Sequence, residues 1–146
     1  MNNDGISAYR QANVVTADPK RLVIMCYDGA ISELMAAKEF YRSREFEEKA
    51  KSLQKALDII YELLSALDFE KGGEVARNLE ALYNFMIRRL IEADLKKDIE
   101  AFEDTIRMLE ELRAAWQDIF YGPGRHQIEA AYAMTPPEEK RAASSA

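Results

Sequence analysis

Residues 46–67, FEEKAKSLQKALDIIYELLSAL, decide the fold class. Phe46, Ala50, Leu53, Leu57, Ile60, Leu64 and Leu67 recur at steps of four, three, four, three, four and three. This is the heptad spacing of a helix whose apolar seam meets a neighbour at a shallow angle. The face opposite is rich in Glu, Lys and Gln, so it belongs to water. One such helix cannot bury its seam alone, and the flanking sequence must supply partners.

Both flanks do so. Upstream, Asp18-Pro19 sets an N-cap and a residue suited to the first helical position. From there Leu22, Met25, Cys26, Ala30, Leu34, Ala37 and Tyr41 recur at helical steps, with Val23, Tyr27 and Ile31 as a second apolar flank. Downstream, Gly72-Gly73 reads as the end of the second helix. Val75, Leu79, Leu82, Met86, Leu90 and Ala93 then form a third seam, widened by Tyr83, Ile87 and Ile91. Asp98 can cap a fourth helix with seam Phe102, Ile106, Leu109, Leu112, Trp116 and Ile119, which Gly122-Pro123-Gly124 stops.

The pattern predicts helices over 18–43, 45–69, 74–95 and 98–121. Links this short force neighbouring helices to run antiparallel. The expected fold is therefore all-α, an up-down four-helix bundle. An N-terminal cap arm over 1–17 precedes it. Residues 122–146 follow as a short amphipathic turn through Ile128, Ala131 and Tyr132 and a disordered tail.

Composition narrows the function. The chain has 146 residues, enough for one domain with one core. Its formal net charge of −6 lacks the basic surplus that phosphate binding needs, so nucleic acid is not an expected partner. An acidic chain also suits an anionic membrane poorly, and no apolar run approaches the roughly 20 residues that span a bilayer. With one cysteine, Cys26, no internal disulfide can form, and a reducing cytosol fits best.

No catalytic constellation is visible. A helical bundle that holds a metal pair needs inward Glu residues and Glu-x-x-His pairs, whereas the one histidine, His126, lies beyond the bundle. Neither a metal nor another cofactor is expected. Cys26 falls on a seam and reads as a small core hydrophobe. Arg88-Arg89 leaves two readings open: a solvated pair balanced by Glu92, or an anchor for a partner's carboxylates. Seven tyrosines supply rings with one wet end, suited to core edges and to interfaces.

Three stretches add a resemblance. Ile6-Ser7-Ala8-Tyr9, then Val15-Thr16-Ala17-Asp18-Pro19 and Leu22-Val23-Ile24-Met25-Cys26-Tyr27-Asp28-Gly29-Ala30, come first. Glu70-Lys71-Gly72-Gly73-Glu74-Val75-Ala76-Arg77-Asn78-Leu79 follows, with Leu82-Tyr83-Asn84-Phe85-Met86-Ile87-Arg88-Arg89-Leu90 close behind. Ala114-Ala115-Trp116 is the third. Together they resemble the FliS flagellar secretion chaperones over roughly residues 5–120. Cys26 departs from the Leu common in that family, and the tail lies past the matched part.

The resemblance implies a non-enzymatic cytosolic protein that binds the disordered C-terminal segment of flagellin. It also implies docking to a component of the flagellar export gate, without a cofactor. The expected flagellin groove comprises Val14, Leu22, Met25, Tyr27, Leu82, Tyr83, Met86, Ile87 and Arg89. The expected gate-docking pair is Ile6 and Tyr9. A homodimer stays open as a further assembly. The rival reading is a generic helical adaptor that binds a folded partner or itself.

Overall fold

The computed structural model describes residues 18–123. Four helices follow one another: α1 (Pro19–Arg42), α2 (Phe46–Ser65), α3 (Phe69–Lys96) and α4 (Ile99–Tyr121). The links between them, residues 43–45, 66–68 and 97–98, are too short for a crossover, and the bundle runs up-down-up-down. α1 and α3 each pack against both α2 and α4, so they face one another across the diagonal.

Three helices start on an aspartate. Asp18 Oδ1 accepts from Arg21 N–H at 2.8 Å, Asp68 Oδ1 from Lys71 N–H at 2.9 Å, and Asp98 Oδ1 from Glu100 N–H at 3.1 Å. Each carboxylate satisfies a donor that the first turn leaves free and sits at the positive end of the helix dipole.

The boundary between α2 and α3 differs from the heptad reading. α2 stops at Ser65, not at 69, and Asp68 caps a new turn that begins at Phe69. The glycine pair does interrupt the helix, but inside α3. Gly73 takes φ 52° and ψ −125°, a backbone state open to glycine and hostile to a side chain. α3 thus has a one-turn prefix and a main shaft from Glu74. The expectation failed because the apolar count ran through Leu67 while the Asp68 cap outranked it.

The core also turns relative to the expected seams. In α2, Phe46 and Ala50 are exposed and Leu64 is half-buried, while Ser52, Ala56, Ile59 and Leu63 join Leu53, Leu57 and Ile60 inside. Small residues explain this shift. Gly29 on α1 lies so close to α2 that a Cβ there would stand 3.1 Å from Ile59 Cδ1. Ala30, Ala37 and Ala56 are fully buried near the same seam. In α3, Tyr83 and Ile87 are core residues and Leu82 is at the edge, the reverse of the expected seam and flank. Leu79, Met86 and Leu90 stay inside, and Phe102, Leu109 and Trp116 complete the core from α4.

Ion pairs line the outside of the α1–α4 seam. Arg113 Nε reaches Asp28 Oδ1, and Glu103 Oε2 meets Lys38 Nζ at 3.5 Å and Arg42 Nη2 at 3.4 Å. Pairs as open to water as these contribute little individually. They mark this seam as closed by charge, whereas the α1–α2 seam is closed by apolar contact.

Candidate functional site

The centre of the bundle holds a polar cluster. Tyr27 of α1 and Tyr83 of α3 are both fully buried, and their hydroxyls hydrogen-bond across the diagonal. Trp116 Nε1–H of α4 donates to the Tyr27 hydroxyl at 3.1 Å. Burial pushes both phenols well above the ordinary tyrosine range, since an ionised phenolate would lose its water. The sequence reading placed Tyr27 and Tyr83 in a groove; in the bundle they are interior.

Around this centre, α3 is the least embraced helix. α1 and α2 approach one another closely along their length, while α3 stands off more from both of its neighbours. An ion pair ties each side. Arg89 Nη2 donates to Asp104 Oδ2 of α4 at 2.7 Å, and Lys49 Nζ pairs with Asp94 across the α2 seam. The sequence leaves two readings of Arg88-Arg89 open, a solvated pair balanced by Glu92 or an anchor for a partner's carboxylates; in the bundle Arg89 meets Asp104 one helix away, because it lies on the α3 flank that turns toward α4.

Helix geometry locates the apolar flanks of α3 from these ties. On the Arg89 side the period places Val75 and Leu82, all half-buried. The α4 flank that carries Asp104 also carries Met108, Leu112 and Ile119, again half-buried. The shallow trough that two packed helices leave between them is here lined by these half-buried apolar side chains, with the Arg89–Asp104 pair standing across it. Arg107 of α4 shares the same aspartate. On the opposite side, Ile91 and Leu95 of α3 and Phe46 and Ala50 of α2 are exposed, Leu95 to 79 % and Phe46 to 50 %. Phe85, also exposed, lies on the outer face between these two flanks.

α1 contributes differently. Six consecutive residues, Leu22 to Tyr27, are buried. Helix period puts Met25 on the side opposite Ala30 and Leu34, turned away from the core, yet it is only 8 % exposed. Of the expected groove set, Leu22 and Met25 are thus buried on α1, and Leu82 and Arg89 are half-buried at the α3–α4 trough. Ile87 and Met86 pack inward. Val14, Ile6 and Tyr9 lie outside the described residues.

A family model described as flagellar protein FliS matches residues 1–122. The chain belongs to the FliS family. Its relatives include the flagellar secretion chaperone FliS of Salmonella typhimurium, 42 % identical over 79 % of this chain and 89 % of the relative. Another, the flagellar secretion chaperone FliS of Vibrio cholerae, is 35 % identical over 86 % and 94 %. A third, from Escherichia coli and of the same name, is 36 % identical over 82 % and 91 %.

What this FliS-family bundle presents along α3 is apolar surface, half-buried toward α4 and exposed toward α2. Among the described residues, no group of three His, Cys, Asp or Glu side chains could hold a metal ion. Nor is any described helix long and apolar enough to cross a membrane. Cys26 is buried in the core. The sequence reading did not single out Phe85, Leu95, Met108 or Asp104 as site residues. A signal for the first two existed: residues 82–95 carry apolar side chains around more than one stripe, which a single core cannot use.

Proposed function

We propose that this protein is a cytosolic export chaperone for flagellin. It binds the disordered C-terminal segment of flagellin, prevents premature polymerisation and presents the client to the flagellar type III export gate. The observation that carries this reading is the wide apolar girth of α3, half-buried toward α4 and exposed toward α2, in a member of the FliS family. The relatives are named flagellar secretion chaperones, which supports the export role.

The physical logic follows from the client. A segment that is unfolded alone cannot bury enough apolar surface to order itself. Laid as amphipathic helices along troughs, it can. Ordering consumes about 2–5 kcal/mol or more of the gross interaction, so the buried area has to be on the order of 1,000–3,000 Å². A bundle of this size offers that area only if the client wraps around it, and flanks on both sides of α3 suit wrapping.

Residues 1–17 are proposed as the regulator of this surface, covering apolar positions until a client displaces them. Ile6 and Tyr9 are proposed to dock the loaded chaperone to the gate. A calorimetric titration with a synthetic flagellin C-terminal peptide tests the central claim. Binding with a gain in helix and a negative heat-capacity change supports it. Binding without ordering points to an adaptor for folded partners, and no binding refutes it.

A further inference from the structure

The Tyr27–Tyr83–Trp116 cluster is an unusual choice for the interior of a bundle. Phenylalanine would fill the same volume at either tyrosine without a hydroxyl to satisfy. The hydroxyls gain nothing from solvent, since Tyr27 and Tyr83 are fully buried and Trp116 almost so. Their value lies in direction: a hydrogen bond tolerates far less sliding or rotation than an apolar contact. The cluster also joins three helices at one point, including the diagonal pair α1 and α3 that otherwise barely meet.

α3 is the helix that most needs such a fix. It stands off from both neighbours, its shaft begins at the Gly73 bend, and its lateral ties are part-exposed ion pairs at Arg89 and Asp94. Leu82, the residue next to Tyr83, borders the α3–α4 trough. One residue is 1.5 Å of rise and about 100° of turn, so a small rotation of α3 moves Leu82 toward or away from Met108 and Leu112.

We propose that Tyr83, held by Tyr27 and Trp116, is a positioning residue that fixes the rotation and height of α3 and so sets which apolar side chains the trough accepts. This rests on the chaperone reading for its ligand but not for its mechanics. Without the Tyr83 hydroxyl, α3 still packs, through Leu79, Met86 and Leu90, yet loses its single address. The trough then accepts clients of differing shape with less discrimination.

The test compares Tyr83→Phe with wild type, with Leu57→Ala as a control that weakens the core on α2. Tyr83→Phe keeps the ring and leaves the Trp116–Tyr27 bond in place. Two readouts are taken on the full chain. The first is amide hydrogen exchange without any ligand. Tyr83→Phe is expected to speed exchange in residues 79–95 about tenfold or more relative to α1 and α2, with the melting temperature within about 5 °C of wild type.

The second readout uses two synthetic peptides of the flagellin C-terminal segment, one native and one with a single Leu of its apolar helical face changed to Ala. Wild type should separate them by about tenfold or more in Kd, about 1.4 kcal/mol. Tyr83→Phe should shrink that ratio at least threefold, while Leu57→Ala preserves it. Unchanged exchange in α3 overturns the proposal whatever the peptides do. Equal loss of discrimination in Leu57→Ala overturns it too, since the cause would then be general softening. If wild type binds neither peptide, the chaperone reading fails and the exchange result alone decides the proposal.

Discussion

Tyr27 and Tyr83 make the interior pH-sensitive in one direction. Each phenol has its pKa raised in the folded protein, so the folded state holds its protons after the unfolded state has released them. Below about pH 10 both states are protonated and burial is fully effective. Above it, stability falls by roughly 1.4 kcal/mol per pH unit for each of the two tyrosines. Urea unfolding between pH 9 and 11.5 should show this slope, and Tyr83→Phe should remove about half of it. A flat profile would mean these hydroxyls reach water. Leu57 speaks to the apolar interior instead. Leu57→Ala should cost about 2–5 kcal/mol in the same assay, because it empties a buried site in the close-packed core. Which residues are interior was only partly legible. Leucines advertise themselves, but a core tyrosine and an edge tyrosine look alike until the neighbouring helix is placed.

At the level of the helix, the starts were easier to read than the faces. Asp18-Pro19 and Asp98 announce α1 and α4 through chemistry local to the cap. Asp68 was overlooked because Leu67 before it and Gly72-Gly73 after it offered a stronger story. Asp68→Ala should remove the bond to Lys71 N–H and lower stability by about 1 kcal/mol, measured by chemical denaturation. The ends of α1 and α3 carry the opposite defect. Arg44 and Lys97 sit at φ 63° and 58°, left-handed positions that L side chains resist. Lys97→Gly is expected to raise stability by about 0.5–1 kcal/mol, because the backbone state persists without its Cβ strain. Faces were harder. The heptad template gave α2 the seam of a supercoil, whereas the close approach permitted by Gly29 turned the helix toward Ser52 and Ala56. No local rule in α2 contains that information, since it resides in α1.

For the molecule as a whole, class and topology followed from spacing and link length, while the binding surface did not. Leu82 and Arg89, expected at the groove, are half-buried on the α3 flank that faces α4; Met108 and Asp104, on the facing flank, became visible only when α4 was set beside α3. A charged substitution there should separate binding from folding. Leu112→Asp, at a half-buried bank position, should weaken flagellin peptide binding tenfold or more, with most of the far-ultraviolet helical signal retained. Deleting residues 1–17 should leave the bundle helical and change peptide affinity; loss of most helical signal would place that segment in the fold itself.

The Tyr121 hydroxyl donates to Asp18 Oδ1 at 3.2 Å, so the final turn of α4 touches the cap of α1. The polypeptide therefore enters and leaves its compact body at a single pole, with both 43–45 and 97–98 at the far one. Such a body has a closed ring for a path and no preferred place to be cut. A circular permutant opened at 43–45, its old ends bridged by a flexible spacer, should fold to the same bundle with near-wild-type melting. It would also move every attachment point to the opposite pole.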